Sequence, residues 1–205
     1  MNSEERGNRR ATGQLRFKRE MRTAVLLLLF VSLSAAGQID QQRWARAERE
    51  IRRLTPQTCR GLPRSVSHYL RRHGYTIPQS YDRQELHNVV RGRFDGDAAP
   101  DWAVLGSRGG SSEILVFWAG SAARVTRLAR RPDFGYLQTV GEERIGYSRS
   151  ISVVGQQYVL DHFRAYGGPK PLPIRHDALD DAFVEKASAV YYFDGVRWHK
   201  LQGAD

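Results

Sequence analysis

The chain has 205 residues and a mass of 23.4 kDa, which is enough for one domain, or for one domain with a tail. Its single cysteine excludes an intramolecular disulfide framework and any zinc site built from several cysteines. Hydrophobic residues make up 40% of the chain and argue against a wholly disordered protein, while the net charge of +10 raises the question of an anionic partner.

The first apolar run is a candidate export signal. Residues 24–36 read AVLLLLFVSLSAA and carry no charge, but a membrane-spanning helix needs about 20 apolar residues. Arg22 precedes the run, and Ser34-Ala35-Ala36 supplies the small residues at which signal peptidase cleaves. We therefore expect a signal peptide over 21–36, starting at Met21, and a periplasmic or secreted mature protein. Residues 1–20 are then an over-called start or a disordered extension.

The positive charge is concentrated in the first part of the expected mature chain. Residues 37–93 have a net charge of +7, whereas residues 94–205 have a net charge of −1. Because an exported protein rarely meets nucleic acid, we interpret these arginines as solvated helix faces. The sequence thus predicts no nucleic-acid partner and no membrane span after signal removal, and it specifies no ligand, partner or oligomeric state.

Two helices are predicted in residues 37–80. Trp44, Ala47, Ile51 and Leu54 follow the three- and four-residue spacing of an amphipathic helix over 39–54. A second helix is expected from Pro63, which suits a first helical turn, to Gly74, which suits a C-terminal cap.

The pattern from residue 86 onwards is that of β-strands. We predict strands at 88–94, 102–106, 113–118, 124–128, 136–140, 150–154, 157–163, 189–193 and 196–201. Asp194-Gly195 is predicted to be a two-residue hairpin turn. Strands in series without long intervening helices favour antiparallel pairing, so we expect one α+β domain over 37–205, with N-terminal helices (37–80) packed on a mainly antiparallel sheet (86–205).

An acidic loop precedes the second predicted strand. Asp95, Asp97 and Asp101 surround a tight turn and could present their oxygens to one hard cation such as calcium. The loop resembles the calcium loop of FG-GAP and VCBS-type repeats, and these three residues fall on ligand positions of that family. Arg93 replaces the leading acidic residue and Ala98 the usual glycine. A single copy does not support a propeller, and the alternative is a turn fixed by aspartate side chains.

A second candidate site is the segment from His176 to Lys186. Asp177 is expected to cap a helix whose first turn holds Asp180 and Asp181 and whose buried face holds Leu179 and Phe183. His176 and Asp180 could then act as an acid–base pair, with Glu185 one turn further along. The alternative is a capped surface helix without catalytic function.

The wider resemblance is to small exported bacterial proteins of unknown function, carried by Ile77-Pro78-Gln79, the stretches 101–105 and 113–117, and the tail 182–205. It implies export and an α+β domain, and it transfers no activity and no catalytic residue. We therefore expect a non-catalytic binding or interaction module without a cofactor. The alternatives are a small cell-envelope hydrolase that uses His176, Asp180 and Glu185, and a domain stabilised by calcium through Asp95, Asp97 and Asp101.

Overall fold

A computed structural model describes residues 38–141 and 144–203. The predicted signal peptide at 21–36 lies outside these residues. The chain divides into two compact units, Met1–Ala45 and Arg46–Asp205. Residues 38–50 form the first helix, α1, which is shorter than predicted. The sequence predicts Leu54 within this helix, but the structure places it in a short strand.

The second helix, α2, spans Arg64–Arg72, as the positions of Pro63 and Gly74 predict. Gly74 has a φ of 71°, the left-handed conformation that ends many helices and that glycine adopts without strain. Val66 and Leu70, four residues apart, form the buried side of α2. Tyr69 packs beside them, and the remaining positions of the helix are polar or basic.

The first large sheet has four strands in sequence order, and every pairing in it is antiparallel. Its strands are β3 (Val89–Gly92), β4 (Asp101–Arg108), β5 (Ser111–Phe117) and β6 (Val125–Pro132). Helix α2 packs on one face of this sheet through Val66 and Leu70, which contact Val104, Leu115 and Phe117.

The second large sheet has the order β12-β11-β10-β9 and is also antiparallel. Its strands are β9 (Arg149–Val154), β10 (Ala178–Phe183), β11 (Ala187–Phe193) and β12 (Trp198–Gln202). The turn between β11 and β12 has four residues rather than the predicted two. It is closed by Asp194, whose Oδ1 accepts hydrogen bonds from the backbone N–H groups of Val196 and Arg197.

Two short antiparallel pairs complete the strands of the described residues. Strand β1 (Arg53–Leu54) pairs with β2 (Ile77–Pro78), and β7 (Leu137–Val140) pairs with β8 (Arg144–Tyr147). The part of the chain that was predicted to be helical therefore contains a strand pair as well. The mixed α+β class is confirmed.

The strand predicted at 157–163 is wrong, because Gln156–Tyr166 forms helix α3. Val159 and His162 are its buried residues, and their three-residue separation is helical. Gln157 and Arg164 both bond to the Asp161 side chain across one helical turn, which supports the helix locally. Helices are thus not confined to the N-terminal part of the chain.

The helix predicted after Asp177 is wrong as well, because these residues form β10. The apolar pair Leu179 and Phe183 is four residues apart, and this spacing places two residues on one face of a helix or of a strand. Asp177 caps no helix. Its Oδ2 accepts a hydrogen bond from the Arg93 backbone N–H at 2.9 Å, so it attaches the start of β10 to the end of β3.

The two large sheets face each other, and each carries a helix on its outer side. Val159 of α3 packs with Val190, Tyr192 and Leu201 on the outer face of the second sheet. On the inner side, the Trp118 ring lies 5.0 Å from that of Phe193. The order of layers in the second unit is therefore helix, sheet, sheet, helix. No helix in the described residues is long and apolar enough to cross a membrane.

Candidate functional site

A cavity of about 360 Å³ lies where the inner face of the second sheet meets the end of β6 and the short helical turn Asp133–Tyr136. The polar residues along its wall are Arg131, Tyr136, Asp181, Ser188, Tyr191, Lys200 and Gln202. The floor follows from strand register, since Asp181 pairs with Ala189 and Tyr191 pairs with Lys200. Side chains of paired residues point to the same face of a sheet. The volume is in the range of small-molecule sites.

The floor of the cavity is fixed by a buried ion pair. Arg149 is fully buried, and its Nε and NH2 groups donate to the two oxygens of Asp181 at 2.8 and 2.9 Å. Arg149 also donates to the carbonyl oxygens of Ser112 at 2.9 Å and of Ala129 at 2.7 Å. Its guanidinium lies 4.7 Å from the centre of the Tyr136 ring. One side chain thereby connects β9 to β10, β5 and β6.

Asp181 stabilises the charged form of Arg149. Burial acts to lower the pKa of Arg149, but attraction to Asp181 and hydrogen bonding with it outweigh this and leave the pKa above its usual value. The bidentate geometry suits a planar guanidinium and a carboxylate. Since Arg149 neutralises Asp181, the net positive charge at the cavity comes from the exposed Arg131 and Lys200.

Two tyrosines supply hydrogen-bond donors to the cavity. Burial raises the pKa of Tyr191 to about 12, and it also raises the pKa of Tyr136, so both phenols are protonated at neutral pH. Neither hydroxyl has a hydrogen-bond partner within residues 38–141 and 144–203, although both residues line the cavity. The cavity therefore offers two phenol donors and two cations around an aromatic wall.

The predicted catalytic set is not assembled. His176 precedes β10, Asp180 lies within it and Glu185 follows it, and a strand advances about 3.3 Å per residue. His176 lies against Gly96. Asp180 faces α3, where Tyr158 donates to its Oδ1 at 3.4 Å, and Glu185 Oε2 accepts from the Tyr81 hydroxyl at 2.7 Å. The three side chains therefore contact three different parts of the protein.

The acidic loop uses its carboxylates on its own backbone. Asp95 Oδ1 accepts from the Asp97 N–H at 3.2 Å, and Asp97 Oδ1 accepts from the Ala99 N–H at 2.8 Å. Asp101 is buried, and its two oxygens accept from the backbone N–H groups of Phe94 and Ala119, each at 2.8 Å. Within the described ranges there is no group of three or more side chains arranged to hold a metal ion. These bonds match the turn-fixing alternative.

A serine–histidine contact appears in the loop between β2 and β3. Ser80 Oγ lies 2.8 Å from His87 Nε2, while Nδ1 of the same ring lies 2.9 Å from the Glu85 carbonyl oxygen. Nε2 accepts the Ser80 backbone N–H at 2.8 Å, and Ser80 Oγ donates to Asp82 Oδ1 at 2.5 Å. The lone pair of His87 Nε2 and the hydroxyl proton of Ser80 are therefore both used in hydrogen bonds within the loop. The contact stabilises the loop.

Comparisons of the chain with family models, with curated proteins and with solved structures found no match.

The sequence pattern does not predict the cavity residues, because it favours a helix at Asp181 and assigns no role to Arg149. A signal was present in the sequence. With a strand period of two, Asp181 lies between Leu179 and Phe183 on one face, so a charge appears among apolar neighbours. Such a charge requires a buried partner of opposite sign, and Arg149 directly precedes the strand predicted at 150–154.

Asp180, on the opposite face of β10, leads to a pH-dependence prediction. Burial raises the pKa of Asp180 above its ordinary value, so the native state holds this proton more tightly than the unfolded state. The stability that protonated Asp180 supplies is present below the ordinary pKa near 4 and is lost as pH rises through the raised value. We expect the Asp180→Asn variant to gain stability relative to the wild type between pH 3.5 and pH 7.

Urea unfolding of both proteins at the two pH values measures this effect. The measurement at pH 3.5 is the internal control. At this pH the Asp180 carboxyl group and the amide that replaces it are both largely neutral, so the stability difference between the two proteins reports only the replacement of a carboxylic acid by an amide. A stability difference that stays constant from pH 3.5 to pH 7 would contradict the prediction.

Proposed function

We propose that the protein is a non-catalytic binding module whose cavity takes a small organic anion with an apolar or aromatic group. The observation that carries this proposal is the pair of phenol hydroxyls of Tyr136 and Tyr191, which lie beside Arg131 and Lys200 and have no hydrogen-bond partner among the described residues. A carboxylate accepts hydrogen bonds from phenols and pairs with cations, and charge-assisted bonds of this kind are the stronger ones.

The rest of the cavity suits the apolar part of such a ligand. Phe183 and the small residues Ala129, Ala187 and Ala189 line the same space. Asp181 does not repel an anion from the floor, because Arg149 compensates its charge at 2.8 Å. The volume of about 360 Å³ accommodates a ligand of one or two rings.

We also propose that this module works outside the cytoplasm, in the periplasm or as a secreted protein. The sequence from Met21 to Ala36, with its arginine, short apolar run and small-residue exit, supports this location. N-terminal sequencing of protein from the envelope fraction tests it, and an intact Met1 on cytosolic protein would contradict it.

The binding proposal is tested with a matched pair of probes, 2-naphthoate and 2-naphthamide, by isothermal titration calorimetry. The two probes share a ring system, but only the first is an anion. We expect the wild type to bind 2-naphthoate at least tenfold more tightly than the amide, which corresponds to about 1.4 kcal/mol. Tyr191→Phe and Lys200→Gln should each weaken 2-naphthoate binding by about tenfold, since each removes one contact to the carboxylate.

Lys170→Gln is the control, because it removes the same charge from an exposed loop that does not line the cavity. Its affinity for 2-naphthoate should stay within twofold of the wild type. Equal binding of the two probes, or equal loss in the Lys170 and Lys200 variants, would overturn the proposal.

A further inference from the structure

A second concave surface lies on the opposite side of the first sheet, where α2 begins. This groove has a volume of about 470 Å³ and is formed by the short helical turn Pro56–Thr58, the connection through Gly61 and the exposed side of α2. Its basic residues are Arg60, Arg64, His68 and Arg71, and none of the described residues that line it carries a carboxylate. It is separate from the cavity at Asp181 and shares no lining residue with it.

The geometry of α2 aligns these basic groups. Arg64, His68 and Arg71 are spaced four and three residues apart, so they form one stripe on the helix, opposite the buried Val66 and Leu70. Seven residues of helix extend about 10 Å, so the stripe from Arg64 to Arg71 has about this length. Arg60 joins the stripe from the preceding turn.

Neighbouring charges do not neutralise the groove. Between Glu50 and Asp82 the chain contains six arginines and no acidic residue. Of these six, Arg53 forms an ion pair with Asp133. Arg60 and Arg64 are exposed and have no ion pair among the described residues. A cluster of positive charge without counter-charges is maintained here at an electrostatic cost, which an anionic ligand would remove.

The position of the groove relative to α2 adds to its preference for anions. Pro63 precedes the helix and offers no side chain that bonds to the first-turn N–H groups. These N–H groups and the helix dipole favour negative charge at this end. The end is also held in place, because Ser65 Oγ donates to the Gly120 carbonyl oxygen at 3.0 Å. Guanidinium groups bond to phosphate oxygens in a bidentate manner.

We propose that this groove binds a phosphate ester that carries two or more negative charges. Arg60 and Arg64 contact the phosphate oxygens, and Arg71 extends the site along α2. The proposal is independent of the ligand in the Asp181 cavity. The phosphate could belong to a soluble compound or to a lipid headgroup, and both present the same chemistry to the groove.

Calorimetric titration of the full chain with inorganic pyrophosphate in 150 mM NaCl tests the proposal. We expect saturable binding to one site. The double variant Arg60→Gln/Arg64→Gln should bind at least tenfold more weakly. The control is Arg91→Gln/Arg197→Gln, which removes the same charge from exposed residues outside the groove and should stay within twofold of the wild type. Thermal melting checks that both double variants fold, as expected for exposed side chains.

Sedimentation with phosphatidylcholine vesicles that contain phosphatidic acid distinguishes the two sources. Vesicle binding that pyrophosphate displaces would support the groove and assign the phosphate to a lipid. Pyrophosphate binding without vesicle binding would support it and assign a soluble ligand. The proposal is overturned by an absence of saturable pyrophosphate binding, or by equal loss in the two double variants, which would indicate non-specific charge attraction. Naphthoate binding should remain unchanged in the Arg60/Arg64 variant, so failure of one proposal is distinguishable from failure of the other.

Discussion

Replacing Arg149 with methionine is expected to lower the free energy of unfolding by about 3–5 kcal/mol, the usual cost of removing one member of a buried ion pair. The substitution leaves the Asp181 carboxylate buried, with its side chain only 5% exposed and without its cation. It also leaves the carbonyl oxygens of Ser112 and Ala129 without the donor that bonds to them. Methionine keeps the aliphatic part of the arginine side chain but not its guanidinium, so the space that the guanidinium leaves adds to the loss.

Urea unfolding of three variants separates the causes of this loss. Arg149→Met/Asp181→Leu removes both charges, and we expect it to recover most of the stability, because no unpaired charge is then buried. Arg131→Met removes an exposed arginine near the same cavity and should change stability by no more than about 0.5 kcal/mol. A loss below about 1 kcal/mol in Arg149→Met would mean that the pair is not the connection between strands that the structure indicates.

The ion pair also shows why part of the site was beyond prediction from sequence. The partners of Arg149 are 20, 32 and 37 residues away, in three different strands. Periodicity states which face of a strand a residue occupies, but it does not state which strand lies opposite. The cavity exists only where β6, β10, β11 and β12 meet, and the sequence carries no local mark of that meeting.

The sequence predicts an element correctly where residues close to its ends determine its bounds. Pro63 and Gly74 bracket α2 correctly, because a fixed φ at the start and a left-handed glycine at the end act within one helical turn. The sequence predicts a strand at 157–163 and a helix at 177–185, and the structure shows the reverse. Apolar residues four apart fit the period of a helix and that of a strand. At 157–163 the contacts of Val159 with the second sheet favour the helix.

A second connection between the two sheets is made by Asn88, a residue that no sequence pattern distinguishes. It is fully buried and precedes β3 with a φ of 67°. Its Oδ1 accepts from the Ile151 backbone N–H at 2.9 Å. Its Nδ2 donates to the carbonyl oxygens of Pro78 at 2.7 Å and of Arg149 at 3.2 Å. The Asn88 side chain thus makes the hydrogen bonds to the β9 backbone that a neighbouring strand would otherwise make. It joins β9 to the edge of the first sheet.

Replacing Asn88 with alanine is accordingly expected to cost about 3 kcal/mol or more, since each buried backbone group left without a partner costs about 1–3 kcal/mol. Alanine also fits the left-handed conformation poorly, which adds about 1 kcal/mol. Asn88→Gly separates the two effects: it loses the same three hydrogen bonds but adopts a φ of 67° freely. Urea unfolding should therefore rank the wild type above Asn88→Gly, and Asn88→Gly above Asn88→Ala. A glycine variant as stable as the wild type would show that the three bonds contribute nothing net, and that the backbone conformation alone is what asparagine serves at this position.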